Sequence, residues 1–235
     1  MASSHSRPAR HLASRRQRVG DNGVAVIGLG RFGKSLALEL VAGGAEVLGV
    51  DGDERTVQSL SGRLTHVVQA DGTNEEAMRQ LGIGDLDVAV IGVGTDLEAS
   101  ILSASVALTL GVPQVWAKAI SQAHARILTQ IGVHHVVRPE HDMGKRVAHV
   151  VRGTMLDYIE LDDGYAFVKT RPPRSIHGRS LAETDLRKRY GVTVVGVKRA
   201  GEEFTYATPE TVTCAQDVVI VSGRREDVER FAELD

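Results

Sequence analysis

A glycine-rich turn between an apolar stretch and a helical pattern constrains the fold of this chain more than any other feature. The apolar stretch Val24–Leu29 runs into the sequence Gly28-Leu-Gly-Arg-Phe-Gly33, and a helical pattern covers Arg31–Ala42. The next apolar run ends at Asp51. A G-x-G-x-x-G turn between strand and helix, with an acid ending the second strand, is the fingerprint of a dinucleotide-binding βαβ unit.

Each position of this turn has a predicted role toward a phosphorylated ligand. Gly28 permits the tight turn, Gly30 lets the backbone approach a pyrophosphate, and Gly33 lets the helix pack closely on the strand. The first N–H groups of the helix offer partial positive charge to phosphates. Arg31 can reach terminal phosphates, and Asp51 can accept hydrogen bonds from ribose hydroxyls. The alternative is a tight turn without a ligand, with Arg31 exposed to solvent.

The composition limits the class of protein. The 235 residues suit one large or two small domains, and 42% hydrophobic residues provide an ordinary core. A formal net charge of −2 argues against nucleic-acid binding. The single cysteine, Cys214, excludes an internal disulfide and a multi-cysteine zinc site. No apolar run has the length of a membrane span and no secretory signal is evident, so we expect a cytoplasmic protein.

Strand and helix patterns alternate from Val24 to Pro139. Several of the strands are apolar throughout, as parallel strands covered on both faces are. This order predicts an α/β fold with a doubly wound, Rossmann-like parallel sheet. The predicted strands are Val24–Leu29, Glu46–Asp51, His66–Asp71, Val88–Val93, Gln114–Ala119 and His135–Arg138. The predicted helices are Arg31–Ala42, Glu54–Ser61, Asn74–Leu81, Leu97–Leu110 and Ser121–Ile131.

The pattern changes after Pro139 to short strands and hairpin-type turns, which predict a small α+β C-terminal subdomain. The predicted helices there are Met143–Met155, Leu181–Tyr190 and Arg224–Leu234. The predicted strands are Asp157–Leu161, Tyr165–Arg171, Thr193–Arg199, Glu203–Tyr206 and Asp217–Ser222. The domains expected from this order are a nucleotide-binding domain over 24–140, a connector helix over 141–155 and a C-terminal domain over 156–235.

Residues 1–23 form a basic segment ahead of the first domain. The segment is poor in apolar residues and carries the arginines Arg7, Arg10, Arg15, Arg16 and Arg18. Such a composition predicts a disordered tail. The alternative is a weak tether to anionic lipid or another acidic surface.

Further candidate ligand contacts follow other strands of the predicted sheet, because the carboxyl ends of parallel strands surround the ligand crevice. Asp71, followed by Gly72 and Thr73, either faces an adenine or caps the next helix. Lys118 ends the fifth strand and adds a cation at the crevice. Glu140 follows the sixth strand and either caps the next helix or lies beside a cation bound to phosphates.

Signatures of catalysis are sparse. The chain has no Walker A lysine motif, no nucleophile elbow and no evident pair of catalytic carboxylates. His134, His135 and His141 lack the H-E-x-x-H spacing of a zinc site and are interpreted as polar residues at a strand end. Trp116 and Phe167 lie in strand patterns typical of packing residues.

The span Val24–Leu234 resembles the regulator-of-potassium-conductance family (RCK, also KTN). The resemblance is strongest to the cytoplasmic regulatory subunits of Trk/Ktr-type potassium uptake systems. The residues that carry it are Gly28–Ser35, Val50-Asp51, Ala70–Thr73, Gln114–Ala119, Pro139–Gly144, Tyr190–Val197 and Gln216-Asp217. Both predicted domains are covered.

The resemblance implies a regulatory role without catalysis. It implies ATP or ADP, or NAD(H) in some members, bound by Gly28, Gly30, Arg31, Phe32, Gly33, Asp51, Asp71, Gly72, Thr73 and Lys118. Glu140 would coordinate Mg²⁺, Ca²⁺ or Na⁺ near the phosphates. The implied assembly is a homodimer that builds an octameric ring beneath a membrane-embedded potassium channel or transporter subunit, at the inner face of the membrane.

The sequence leaves one ligand and two other interpretations of the chain open. Cyclic di-AMP binds the C-terminal subdomain of some relatives, but the corresponding segment here, Leu181–Arg187, is more polar than that pocket suggests. The second interpretation of the chain is an NAD(H)-dependent oxidoreductase or an NAD(H)-sensing regulator. The third is a scaffold whose nucleotide site has lapsed, against which the intact glycine turn, Asp51 and Asp71 argue.

Overall fold

The computed structural model describes residues 23–234, apart from the side chain of Asp162. The predicted basic tail, except for Gly23, lies outside the described residues. Contacts within the chain divide it into two units, with the division between Arg138 and Pro139.

The first unit is a six-stranded parallel sheet with alternating helices, which confirms the predicted α/β class. The strand order is β3-β2-β1-β4-β5-β6, so the direction of winding reverses between β1 and β4. Open sheets of this kind bind ligands at that reversal, outside the carboxyl ends of the strands. The strands are β1 Val24–Ile27, β2 Val47–Asp51, β3 His66–Gln69, β4 Val88–Ile91, β5 Gln114–Lys118 and β6 His135–Val137. The helices are α1 Arg31–Ala42, α2 Glu54–Leu60, α3 Glu75–Gln80, α4 Leu97–Thr109 and α5 Gln122–Gln130.

The central strands of this sheet are apolar because helices cover both of its faces. All four residues of β1 are buried, as are all four of β4. Since successive side chains of a strand point to opposite faces, β1 contributes to two cores. Ala25 and Ile27 belong to one hydrophobic cluster, and Val24 and Val26 belong to the other.

The second unit is the predicted α+β subdomain. Its five-stranded antiparallel sheet has the order β10-β9-β11-β8-β7, and α9 packs on β8 and β11. The strands are β7 Asp157–Glu160, β8 Tyr165–Thr170, β9 Thr193–Lys198, β10 Phe204–Tyr206 and β11 Val218–Arg224. The helices are α6 Pro139–Val151, α7 Leu181–Thr184, α8 Leu186–Tyr190 and α9 Arg225–Ala232. Between residues 23 and 234, no helix is long and apolar enough to cross a membrane.

Two predicted helices differ from the structure by more than the one or two residues found at the ends of the others. The helix predicted over Met143–Met155 begins earlier, at Pro139, because proline fits the first helical position, where its missing N–H has no intrahelical partner. The helix predicted over Leu181–Tyr190 is two short helices. Asp185 separates them with a φ of 51°, and a residue in the left-handed region ends a right-handed helix.

Candidate functional site

The glycine turn after β1 has different physical requirements at each glycine. Gly28 has a φ of 89°, and a Cβ there would lie 2.7 Å from Val93 Cγ2. A Cβ on Gly33 would lie 1.9 Å from the carbonyl oxygen of Gly28. A Cβ on Gly30 would meet no atom within 4 Å. Packing within the chain therefore explains Gly28 and Gly33, whereas the space beside Gly30 is open, as the approach of a phosphate to the backbone requires.

Hydrogen bonds fix this turn between the ends of three strands. The N–H of Gly28 donates to Val50 O at 2.8 Å, and the N–H of Gly92 donates to Ile27 O at 2.7 Å. The N–H of Leu29 donates to Asp51 Oδ2 at 2.6 Å. The turn is therefore attached to β2 on one side and to the residues after β4 on the other.

Helix α1 begins without a side-chain cap, unlike the other four helices of the first unit. Its N-cap is Gly30, and its first turn contains no acidic residue. The other four helices are capped by side-chain oxygens of Asp53, Asn74, Asp96 and Ser121. The first N–H groups of a helix have no intrahelical acceptor and carry partial positive charge. The start of α1 consequently offers donors to an anion at the open side of the turn.

Asp51 ends β2 and organises the surroundings of the turn. Its carboxylate accepts the N–H of Leu29 at 2.6 Å and the N–H of Asp53 at 2.9 Å. An ionised carboxylate has about four acceptor positions. Two bonds to the backbone thus leave capacity for the hydroxyls of a ribose, the contact predicted for Asp51.

Asp71 does not cap the next helix, so that alternative is wrong. The N-cap of α3 is Asn74, whose side chain accepts the N–H of Ala77 at 3.0 Å. Asp71 Oδ1 instead accepts the N–H and the hydroxyl of Thr73, at 2.9 and 2.7 Å. The backbone N–H first, and then the hydroxyl, lower the pKa of Asp71 below its ordinary value. An ionised, exposed acceptor therefore follows β3, with Gly72 beside it.

Gly72 brings the end of β3 close to the centre of the sheet. A Cβ on Gly72 would lie 2.5 Å from Ile27 Cγ2, at the end of β1, and 2.9 Å from Ser103 Oγ in α4. Gly92 has a similar role, because its Cβ would lie 2.5 Å from the carbonyl oxygen of Gly28. The sequence analysis assigned Gly92 no role, although a glycine directly after a buried strand signals a close approach of backbones.

The two predicted cations of the crevice differ in their surroundings. Arg31 is the first residue of α1 and is exposed. Lys118 ends β5 and is half-buried, with its Nζ 5.8 Å from the centroid of the Phe32 ring. The first unit therefore brings the glycine turn, Asp51, Gly72 and Lys118 to one edge of the sheet.

Glu140 lies in the second unit, as the second residue of α6. An acid in a first helical turn is favourable there, and its predicted place beside a cation at the phosphates stays a prediction. Over residues 23–234, no group of three or more His, Cys, Asp or Glu is arranged to hold a metal.

The histidines near β6 have structural partners. His134 Nδ1 accepts the N–H of Val115 at 3.0 Å. The ring of His135 stacks on Trp116, with centroids 4.0 Å apart, and its Nε2 lies 3.0 Å from Gln114 Oε1. These contacts agree with the interpretation of both histidines as polar residues of a strand end.

The second unit has a cavity of about 650 Å³ beside α7, α8 and β9. Part of its wall is the segment Leu181–Arg187 without Glu183 and Thr184. For this segment, the family resemblance left open whether cyclic di-AMP binds. Arg187 and Lys188 give the wall positive charge, and Thr193 and Thr208 give it hydroxyls.

Comparisons with known proteins agree with this architecture. The TrkA-N domain matches residues 24–139, and the TrkA-C domain matches residues 166–234. Ktr system potassium uptake protein C of Bacillus subtilis is 36% identical over 208 residues, which is 88% of this chain and 94% of that protein. Ktr system potassium uptake protein A of Vibrio alginolyticus is 36% identical over 210 residues, 89% of this chain and 96% of that protein.

Solved structures share the fold at lower identity. The GsuK channel bound to NAD superposes with a TM-score of 0.64 at 17% identity, covering 90% of this chain and 39% of that chain. GsuK bound to ADP superposes with a TM-score of 0.50 at 14% identity, covering 57% of this chain and 35% of that chain. With a TrkA-N and a TrkA-C domain and 36% identity along nearly the whole length of a Ktr protein, this chain belongs to the RCK family that includes the Ktr potassium uptake proteins.

Proposed function

We propose that this chain is a regulatory subunit of a potassium uptake system that binds ATP and ADP over its glycine turn and catalyses no reaction. The observation that carries the proposal is the uncapped start of α1 beside the open space at Gly30. Its relatives named as Ktr potassium uptake proteins support the role in transport. The solved neighbours named as bound to NAD and to ADP support a nucleotide as the ligand.

In the proposed complex, the phosphates lie over the N–H groups of the turn from Gly28 to Gly33. Asp51 accepts hydrogen bonds from the ribose, and Asp71, with Gly72 and Thr73, faces the adenine. Phe32 belongs to the same turn, and Lys118 contacts the phosphates. A Mg²⁺, Ca²⁺ or Na⁺ ion, when bound, neutralises part of the phosphate charge beside Glu140.

Discrimination between ATP and ADP must occur at the one phosphate by which they differ, because a ligand shifts an equilibrium only by its differential affinity for two states. Arg31, and Glu140 through its cation, are the proposed contacts of that phosphate. Moving a population from mostly closed to mostly open needs about 5.5 kcal/mol of differential binding. One charge-assisted contact supplies roughly 1.5–3 kcal/mol, so one contact is not enough, and several subunits acting together can supply the total.

The proposed assembly is therefore a homodimer that builds an octameric ring on the cytoplasmic face of a membrane-embedded potassium channel or transporter subunit. The nucleotide changes the shape of the ring and, through it, the pore. Light scattering of the purified chain with and without ATP tests the assembly, and a monomer under both conditions would contradict it.

Calorimetric titration of the full chain with ATP, ADP, NAD and NADH tests the ligand. We expect ATP and ADP to bind more tightly than NAD and NADH. The matched variant is Gly30→Ser, since serine caps a helix as well as glycine does but places a side chain where the phosphates approach. We expect this variant to fold normally and to lose at least about tenfold in affinity, the size of one charge-assisted hydrogen bond. Absence of heat with every nucleotide would contradict the proposal.

The variant Arg31→Ala tests the sensing of the last phosphate. We expect its preference for ATP over ADP to fall by about tenfold, the effect of one charge-assisted contact. An unchanged preference would remove Arg31 from the sensing mechanism.

The second candidate function is an NAD(H)-sensing regulator or an NAD(H)-dependent oxidoreductase. It is favoured by the neighbour bound to NAD and by the carboxylate of Asp51, which suits an unmodified ribose diol. Tighter binding of NADH than of ATP in the same titration would support the sensor, and oxidation of NADH by a supplied substrate would support the enzyme.

Cyclic di-AMP is the candidate ligand of the cavity in the second unit and is included in the same titration, with Arg187→Ala as the variant that tests this cavity.

A further inference from the structure

Lys118 reaches the glycine turn from two strands away. The sheet order places β4 between β5, which carries Lys118, and β1. Neighbouring strands are about 4.8 Å apart, so the side chain must extend across the end of β4. It does so, because its Nζ lies 5.8 Å from the centroid of the Phe32 ring in the first turn of α1.

Gly94 lies beside the end of this side chain. A Cβ on Gly94 would lie 3.4 Å from Lys118 Cε, 3.5 Å from Lys118 Nζ and 3.2 Å from Ile120 Cγ2. Gly94 is not among the glycines with positive φ in residues 23–234, so its backbone does not require glycine. A methyl group at Gly94 would touch the end of Lys118 at ordinary van der Waals distance, so only a larger side chain would crowd the ammonium group.

We propose that Phe32 and Gly94 are positioning residues that hold the Lys118 ammonium beside the glycine turn, where it contacts the phosphates of the bound nucleotide. This inference rests on the proposed nucleotide site. The face of an aromatic ring attracts a cation within about 6 Å of its centroid, and Gly94 places no side chain against the ammonium. A lysine held in place loses less side-chain freedom when it binds an anion.

The consequence is a preference that depends on ligand charge. An ammonium is a point charge, so its placement strengthens binding of ATP and leaves binding of adenosine nearly unchanged. A purely structural role of Phe32 would instead affect both ligands, because a distorted turn binds neither well.

Calorimetry of the full chain with ATP, and with adenosine in competition with ATP, separates these cases. The test variant is Phe32→Leu, which keeps an apolar side chain against the cluster that Phe32 packs on, and the control is Phe32→Tyr, which restores the ring face. We expect Phe32→Leu to weaken ATP about fivefold, within the range of a cation–π contact, with adenosine within about twofold, and we expect Phe32→Tyr to recover ATP binding. Gly94→Val, which fills the space beside the ammonium, should resemble Phe32→Leu.

A double-mutant cycle with Lys118→Met completes the test. We expect Phe32→Leu to have no further effect on ATP binding once the lysine is gone, since coupled residues are not additive. Additive losses, or equal losses for ATP and adenosine, would overturn the inference while leaving the nucleotide site intact. Absence of ATP binding by the unaltered chain would instead refute the proposed function itself.

Discussion

At the scale of single residues, the three glycines of one motif are there for different reasons. Gly28 has a backbone conformation that side chains disfavour, Gly33 has no room for a side chain, and Gly30 has room but faces the open side of the turn. The sequence predicted these roles from spacing alone. It could not reveal that Gly92 packs against the same turn, because that contact joins residues that follow different strands.

The variant Gly33→Ala is expected to destabilise the first unit. Its Cβ would overlap the carbonyl oxygen of Gly28, so α1 must move away from the sheet. Overpacking of this kind costs about 1–3 kcal/mol, and chemical denaturation measures it. Gly30→Ser is the control, with a change below about 0.5 kcal/mol. Equal stability of the two variants would contradict the predicted close packing.

The buried side chain of His124 is expected to make the stability of the folded chain depend on pH. It is 2% exposed, its Nδ1 accepts the N–H of Ile120 at 3.4 Å, and among residues 23–234 its Nε2 has no hydrogen-bond partner. Burial lowers its pKa below the ordinary 6.5. The unfolded chain therefore takes up a proton at a higher pH than the folded chain does. Its contribution to stability is present above pH ~6.5 and is lost as the pH falls below that value.

The variant His124→Asn tests this dependence, because its amide oxygen can still accept the N–H of Ile120. We expect a smaller loss of melting temperature between pH 7 and pH 5 than in the unaltered chain, whatever the change at pH 7. Parallel pH profiles of the two proteins would show that His124 does not titrate differently on folding.

At the scale of elements, local signals in the sequence predicted the ends of most helices and strands to within one or two residues of their observed positions. Side-chain caps such as Asp53 and Asn74 are local, so the sequence contains them. The bounds of α6 were wrong because Pro139 was interpreted as the end of a strand region, although proline also begins helices. The break at Asp185 was not predicted, because a residue other than glycine rarely adopts a positive φ.

Replacing glycine by alanine is expected to have opposite effects on stability at two exposed positions, one of which lies in α6. Gly144 is exposed within this helix, and a Cβ there would meet nothing within 4 Å. We expect Gly144→Ala to stabilise the protein by about 0.5–1 kcal/mol. Gly44 also has open space but a φ of 88°, so Gly44→Ala should destabilise by about 1–2 kcal/mol. Denaturation in urea measures both, and the same sign for both would contradict this account.

At the scale of the whole molecule, two units with separate hydrophobic cores follow one another along the chain. The sequence predicted this order from the change of pattern after Pro139. It also predicted the parallel α/β architecture of the first unit and the α+β architecture of the second, because each depends on periodicities that are visible in the order of the residues.

The separate cores predict that stability of the second unit and nucleotide binding by the first are independent. Phe231 is 1% exposed in the core of the second unit, so Phe231→Ala should cost about 3–5 kcal/mol. We expect the affinity of this variant for ADP, which lacks the phosphate proposed to be contacted through Glu140 of the second unit, to stay within about twofold at low temperature. The milder Ile176→Val, expected to cost about 0.5–1.5 kcal/mol, is the control if the first variant does not fold. A loss of affinity proportional to the loss of stability would contradict the independence of the units.

The sequence by itself determined the fold class, the strand order along the chain and the glycine turn with its acid, because these depend on periodicity and on residues that are neighbours in the chain. Only the tertiary structure decided which residues surround the turn. Lys118 reaches Phe32 across β4, and Gly92 lies against Gly28. Such contacts depend on how the strands lie side by side and on backbone angles, and neither is expressed in the spacing of residues along the chain.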